Sequence, residues 1–488
     1  MSRIQVKNLT FSYPSSGDII FEQVNLQIDT DWKLGFVGRN GRGKTTFLSL
    51  LRGKYPYSGT IRASVRFQYF PYPVTDVGQQ TGDILKEICP RAEEWEFLRE
   101  FSYLEVEPTV LWRPFAALSQ GEQTKVLLAA LFLNEGDFLL IDEPTNHLDA
   151  RARELVSAYL QKKTGFLLVS HDRCFLDGCV DHILALNRAN IEVQRGNFSS
   201  WMTNFERQQA LEQGQNRRLQ RDIRQLQRAA ARTAGWSDRV EASKVGAADK
   251  GYVGHKAAKM MKRAKSIEAR QQRAIGQKAG LLKNTETAER LLLSPLRYHA
   301  DTLVSVSDIV IRYDGIPVNK PVSFVVRQGE RIALDGRNGS GKSSLLKLLL
   351  GQEMEYTGGV ERSSGLVVSY VPQDTSHLRG SLTTFAREHH LEESRFKAIL
   401  RKMDIGRVQF TKDMRDFSNG QKKKVLLAKS LCEEAHLYVW DEPLNFIDVY
   451  SRIQIERLLN EFSPTMVFVE HDRAFREAVA TEVIRLEK

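Results

Sequence analysis

Gly38-Arg39-Asn40-Gly41-Arg42-Gly43-Lys44-Thr45-Thr46 recurs 298 positions later as Gly336-Arg337-Asn338-Gly339-Ser340-Gly341-Lys342-Ser343-Ser344. Both stretches match G-x-x-x-x-G-K-[ST], a glycine-rich turn whose backbone N–H groups cradle phosphates. The start of the helix that follows favours the anion's charge. Lys44 and Lys342 would reach the β- and γ-phosphates of a nucleotide, and the hydroxyls of Thr45 and Ser343 would bind Mg²⁺. One such match can be a loop without a ligand. Two copies with further motifs in register leave that reading little room.

The register extends well beyond the loops. Ser119 and Ser418 lie 299 positions apart, Asp142 and Asp441 also 299, and His171 and His471 lie 300 apart. So long and constant an offset means two copies of a whole domain, not a short solenoid repeat. Each copy opens on strand-like alternation (Ile4-Gln5-Val6, Val304-Ser305-Val306) and then alternates strand and helix signals. That pattern predicts an α/β fold with largely parallel sheets in each copy. The expected boundaries are a first domain at 1–195, a linker at 196–300 and a second domain at 301–488.

Between loop and histidine each copy carries an apolar run ending in two acids, Phe138-Leu139-Leu140-Ile141-Asp142-Glu143 and Leu437-Tyr438-Val439-Trp440-Asp441-Glu442. Such a run reads as a buried central strand that delivers carboxylates to its C-terminal edge, where open α/β sheets bind ligands. Asp142 and Asp441 would hold Mg²⁺, and Glu143 and Glu442 would act as general bases on the attacking water. Acids also cap strand ends for purely structural reasons, but here the spacing to the phosphate loop repeats.

The 488 residues include 70 Lys+Arg and 60 Asp+Glu, a net charge of +10, with 42% hydrophobic and 27% charged residues. This is the balance of a globular chain with ample core. No apolar run approaches the roughly 18 residues that a membrane helix needs. The start, MSRIQVKNLTFSY, lacks a signal-peptide pattern, and the four cysteines form no CxxC pair, which argues against a disulfide framework or a zinc site. A cytoplasmic protein is expected.

The excess charge is local. Residues 201–300 hold 21 Lys+Arg and 9 Asp+Glu, a net of +12, so the rest of the chain carries −2. In this segment Trp201, Phe205, Leu219, Ile223, Leu226 and Ala230 recur at helical spacing, and Ala264, Ile267, Ala274 and Leu281 do so again. Gly235, Gly246, Gly251 and Gly254 interrupt between them. An antiparallel helical hairpin with a basic tip at about 233–262 is expected, each arm roughly 45 Å long. Arg217, Arg218, Arg221, Arg224, Arg228 and Arg232 would stripe one face and meet RNA phosphates; the plain alternative is a solvated charged face. In the tip, Trp236, Tyr252 and His255 would either stack on bases or tRNA ends or pack the loop, with Lys262 and Arg263 beside them.

With Leu118-Ser119-Gln120-Gly121-Glu122 and Phe417-Ser418-Asn419-Gly420-Gln421 added, the chain resembles the ATP-binding-cassette ATPases over essentially its whole length. The resemblance implies that Ser119 and Gly121 close on ATP held by Lys342, and Ser418 and Gly420 on ATP held by Lys44. It further implies that His171 and His471 contact the γ-phosphate, that Gln373 binds Mg²⁺, and that Tyr13 and Tyr313 stack on adenine, unless those tyrosines pack inward as strand residues. Two cassettes around a basic helical linker resemble the ABC-F class of translation factors. Gly196-Asn197-Phe198-Ser199, leading into the linker, resembles the start of that class's helical linker. Asp441-Glu442-Pro443-Leu444-Asn445, Trp236-Ser237 and Met261-Lys262-Arg263 resemble its Lsa-type antibiotic-resistance branch. That branch implies a monomer on the 70S ribosome, in contact with 23S rRNA and P-site tRNA. Its linker tip reaches from the tRNA exit site toward the peptidyl-transferase centre and displaces lincosamides, pleuromutilins and streptogramin A compounds.

Three departures stand out. Tyr72 occupies the place of Gln373 in the first copy, and Thr145-Asn146-His147 faces Leu444-Asn445-Phe446 after the acids, so the two sites are expected to be unequal. Only 75 positions separate Lys44 from Ser119, too few for a large arm insertion, and 17 residues follow His471, too few for a long tail. A general translation factor without drug protection, a transporter ATPase subunit and a DNA-binding ATPase are the rival readings. The last two leave the basic hairpin unexplained or lack the cysteines of a zinc finger.

Overall fold

A computed structural model of the chain describes residues 2–13, 19–186, 191–242, 266, 267, 270 and 290–487. Two compact units emerge, Met1–Trp201 with Ala288–Lys488, and Met202–Thr287.

In the larger unit the first copy begins with β1 (Arg3–Ser12), β2 (Ile19–Asp29) and β4 (Ser58–Arg62), an antiparallel sheet in the order β2-β1-β4. Ile4 and Val6 are buried, then Leu9 and Phe11: the alternation skips a step at Asn8, a bulge with φ 51°. The bulge keeps both apolar pairs on one face, which a regular strand could not do. The second copy repeats the device at Asp308, φ 50°, between Val306 and Ile309 in β10 (Thr302–Tyr313). There β10 is flanked by β11 (Ile316–Pro317), β12 (Val322–Arg327) and β14 (Tyr356–Arg362).

Behind these lie the parallel sheets. In the first copy β3 (Lys33–Gly38), β5 (Phe67–Phe70), β6 (Phe138–Asp142), β7 (Phe166–Val169), β8 (His182–Leu186) and β9 (Ile191–Arg195) are ordered β5-β6-β7-β3-β8-β9, parallel except for β9. The second copy uses β13 (Arg331–Asp335), β15 (Val368–Val371), β16 (Leu437–Asp441), β17 (Met466–Val469) and β18 (Glu482–Arg485), all parallel in the order β15-β16-β17-β13-β18. Apolar runs such as Phe166-Leu167-Leu168-Val169 are buried throughout, as strands covered on both faces require. The α/β class with largely parallel sheets is as expected. The smaller antiparallel sheet goes beyond that expectation, because its strands alternate irregularly. The first-copy core joins Phe11, Phe21, Phe36 and Phe47, packing the antiparallel sheet and the helix Lys44–Leu51 onto the parallel sheet.

The helix Phe198–Ala242 runs 45 residues, roughly 68 Å at 1.5 Å per residue, longer than the arm expected from sequence. It passes through Gly214 and Gly235, so the first ten positions of the expected tip are helical. One glycine costs only about 1 kcal/mol in a helix interior, and Ala and Arg neighbours carry the helix across it. In the smaller unit its half-buried positions include Phe205, Gln209, Asn216, Leu219, Ile223 and Leu226. Arg217, Arg218, Arg221, Arg224 and Arg228 are exposed. Tyr252, His255, Lys262 and Arg263 lie outside the described residues, as do the side chains of Arg232 and Trp236. Of the second arm, 266, 267 and 270 are helical. Among the described residues no helix is long and apolar enough to cross a membrane.

Candidate functional site

Each phosphate loop follows the C-terminal edge of a central strand, β3 or β13, and ends on a left-handed glycine that caps the next helix, Gly43 at φ 100° and Gly341 at φ 83°. A Cβ on Gly43 would stand 2.6 Å from Ile20 Cγ2, so glycine is required on both conformational and spatial grounds. Lys44 Nζ donates to Gly38 O at 2.7 Å and Arg39 O at 3.3 Å; Lys342 Nζ donates to Gly336 O at 2.7 Å and Arg337 O at 3.0 Å. Each ammonium is thus held at the centre of its loop.

Two cavities surround these loops, and each draws on both copies. One, of about 510 Å³, joins Tyr13, Asn40, Gly41, Gly43, Lys44, Thr45, Thr46, Asp142, Glu143 and His171 to Ser418 and Gly420 of the second copy. The other, of about 750 Å³, joins Tyr313, Asn338, Gly339, Gly341, Lys342, Ser343, Ser344, Gln373, Glu442 and His471 to Ser119 and Gly121 of the first. Asn40 Nδ2 donates across to Phe446 O at 2.6 Å. Arg173 pairs with Glu456 at 2.7 Å. Ser119 and Ser418 cap the helices Gln120–Phe132 and Asn419–Cys432, each in a reciprocal capping box with Glu122 or Gln421. Both helix starts therefore face the opposite copy's phosphate loop. A Cβ on Gly420 would meet Phe446 O at 2.5 Å.

The acids differ between the copies. Thr45 Oγ1 donates to Asp142 Oδ2 at 3.0 Å, and Ser343 Oγ to Asp441 Oδ1 at 3.2 Å. Burial pushes the carboxyl of Asp441 up to about 6 and that of Asp142 above its usual range. Glu143 Oε1 lies 3.3 Å from His171 Nε2 but makes no hydrogen bond of good geometry among the described residues. Burial, reinforced by Asp142 and opposed by Lys44, pushes Glu143 up to about 8. Glu442 is half-buried, yet His471 at 3.4 Å, Gln373 Nε2 at 2.8 Å and the amide of Asn445 outweigh desolvation and hold it down to about 2. His171 is kept well below the usual imidazole range by burial and by Lys44, and its Nε2 lies 3.1 Å from Asn40 Oδ1.

The profile described as ABC transporter matches residues 21–146 and 319–445, which carry both phosphate loops, both capped serines and both strand-end acid pairs. The chain belongs to the ATP-binding-cassette family. Each cassette is an ATP-binding ATPase domain, and the tandem pair in one chain is the arrangement of the F class. The chain is 28% identical over 492 residues to the ribosome protection protein VmlR of Bacillus subtilis, covering 96% of this chain and 84% of that protein. It is 24% identical over 552 residues to the ABC transporter F family member 2 of Arabidopsis thaliana, covering 99% of this chain and 76% of that one. Among solved structures, the archaeal ribosome recycling factor aABCE1, crystallised with the ribosomal stalk protein aP1, shares the fold. Its TM-score is 0.64 over 99% of this chain and 87% of that chain, at 19% identity.

The surroundings of a few cassette residues complete the picture. Tyr13 OH lies 2.7 Å from Thr46 Oγ1 and Tyr313 OH 2.6 Å from Ser344 Oγ. Tyr13 also packs edge-on against Phe11 and Tyr55, so it both lines the cavity and packs inward, whereas Tyr313 is 57% exposed. Gly38 and Gly336 hold the lysine ammonium groups through their carbonyls, and Asp441 is buried and accepts from Ser343. Tyr72 shares the position of Gln373, but the first-cassette hydroxyl that reaches the acid is that of Tyr69, which donates to Asp142 Oδ2 at 3.1 Å. Sequence reading missed Tyr69 because a single tyrosine in a strand carries no motif.

Proposed function

We propose that this protein is an ATP-dependent ribosome-binding factor of the F class that protects the ribosome from antibiotics acting at the peptidyl-transferase centre: lincosamides, pleuromutilins and streptogramin A compounds. The observation that carries the reading is a pair of composite ATP sites in one chain with a 45-residue helix whose Arg217, Arg218, Arg221, Arg224 and Arg228 are exposed. Ribosomal RNA is a dense polyanion that such a face fits. The likeness to VmlR favours protection over general translation.

In this reading Lys44 and Lys342 hold the β- and γ-phosphates, His171 and His471 the γ-phosphate, and Tyr13 and Tyr313 the adenine. Thr45 with Asp142, and Ser343 with Asp441 and Gln373, hold Mg²⁺; the hydroxyl–carboxylate pairs are the hard oxygen donors this ion takes. When bound there, the ion would supply charge neutralisation at the phosphates. Glu143 and Glu442 accept the proton of the attacking water. ATP closes the cassettes and sets the linker, whose tip, with Trp236, Tyr252, His255, Lys262 and Arg263, enters from the tRNA exit site beside 23S rRNA and P-site tRNA. Hydrolysis releases it, an ATP-controlled shift of population. The protein works in the cytoplasm as a monomer.

A Glu143→Gln, Glu442→Gln double variant with ATP is expected to co-sediment with 70S ribosomes. Sedimentation free of ribosomes at low salt would sink the reading. Expression in a susceptible bacterium should raise tolerance to the three drug classes; binding without any change in tolerance favours a general translation factor.

A further inference from the structure

Behind its catalytic acid the second cassette differs from the first at two buried positions. Where the first carries Thr124 and Ser170, the second carries Lys423 and Glu470, 2% and 3% exposed. The first-cassette hydroxyls serve their own surroundings. Thr124 Oγ1 donates to Gln120 O at 3.0 Å, one turn back in its helix. Ser170 Oγ accepts from Asp172 N at 3.2 Å and lies 3.3 Å from Thr145 Oγ1, joining the histidine segment to the residues after Glu143.

The second cassette has Leu444 in place of Thr145 and so has no hydroxyl to make that junction. Glu470 makes it instead. Its Oε1 accepts from Leu444 N at 3.2 Å and its Oε2 from His471 N at 3.3 Å. Lys423 Nζ donates to Pro372 O at 2.9 Å and Asp441 O at 3.4 Å. It thereby ties the residue before Gln373 to the residue before Glu442. Those side chains converge on one carboxylate: Gln373 and Asn445 donate to Glu442 Oε2, and His471 stands at its Oε1. A buried ammonium and a buried carboxylate are tolerated when each has opposite charge and hydrogen bonds nearby: Glu470 is the carboxylate that acts most strongly on Lys423, and Arg452 is the cation that acts most strongly on Glu470.

We propose that Lys423 and Glu470 are a positioning pair specific to the second cassette, holding Gln373, Leu444 and His471 around Glu442 so that its carboxylate is fixed for the water it activates. The proposal rests on Glu442 as the base of that site. The first cassette has neither residue, and its Glu143 Oε1 lacks a well-formed hydrogen bond among the described residues.

The experiment uses full-length protein carrying Glu143→Gln, so that steady-state ATPase reads the site of Glu442. In that background Lys423→Thr and Glu470→Ser should each lower kcat at least tenfold, with KM for ATP unchanged within twofold. Lys423→Arg and Glu470→Gln, which keep a long donor and a carbonyl acceptor, should retain most of the turnover. Unchanged kcat in the single variants overturns the proposal. So does a parallel fall of kcat, nucleotide affinity and Tm in every variant, conservative ones included, which is what a merely structural role gives. If Glu442→Gln itself leaves turnover intact in this background, the assignment of Glu442 as base fails instead, and the pair's role falls with it.

Discussion

At Glu143, burial and the neighbouring Asp142 push the carboxyl up to about 8, while at Glu442 three hydrogen-bonding side chains hold it down to about 2. A general base must be ionised to accept a proton, and the two shifts run in opposite directions: Glu442 is held in its ionised form, while Glu143 is pushed toward its protonated form. The single variant Glu442→Gln should therefore lose more ATPase activity than Glu143→Gln; the reverse order in a steady-state assay rejects the inequality. The same shift has a consequence for stability without nucleotide. Between the usual glutamate value of 4.5 and about 8 the unfolded chain is ionised at Glu143 and the folded chain is not. The folded state holds the extra proton there, and its stability falls as pH rises through that window. Glu143→Gln, permanently neutral, removes this slope. Its Tm relative to the parent protein should rise from pH 5 to pH 8; a flat difference would show that the carboxyl is already ionised.

The two halves of the antiparallel sheets depend on a bulge and a glycine facing it. Gly59 has φ 103° and a Cβ there would stand 2.4 Å from Asn8 O; Gly358 has φ 100° and the same distance to Asp308 O. Gly59→Ala should cost about 1–3 kcal/mol, because the strained backbone and the steric conflict add. Gly53→Ala is the control: φ 69° with nothing within 4 Å, so only the left-handed backbone is penalised, about 1 kcal/mol. Denaturant unfolding compares them, and equal losses would mean that the bulge carbonyl yields. At the signature helices, Ser119→Ala removes a side-chain cap worth about 1 kcal/mol and should weaken ATP affinity at the site of Lys342. Unchanged nucleotide affinity would limit that serine to capping.

On the scale of the whole chain, charge is separated from catalysis: a net of +12 lies in residues 201–300 and −2 in the remainder. If the exposed arginines meet RNA phosphates, affinity for ribosomes must fall with salt. Replacing Arg217, Arg221, Arg224 and Arg228 with Gln should reduce the slope of log affinity against log salt by roughly one for every phosphate left without its arginine. The ATPase rate of the isolated protein should be unaffected. An unchanged slope would leave the stripe a solvated face.

The phosphate loops, strand-end acids, signature serines and histidines were legible because backbone chemistry ties each to a fixed local spacing, and the second copy repeated that spacing. The tandem α/β architecture followed, since apolar runs and loop-to-helix turns are local signals. The bulged sheets escaped, because Asn8 and Asp308 break an alternation that sequence reading expects to be regular. Gly235 misled in the opposite sense, since one glycine does not stop a long helix. That the two sites differ was readable from Gln373 against Tyr72, whereas how each glutamate's charge is held was decided by packing. Thr45 and Ser343, or Asp142 and Asp441, look alike along the chain. Whether such a carboxylate keeps its charge depends on which side chains the fold brings to it: Gln373, Asn445 and His471 at one acid, and no equivalent set among the described residues at the other.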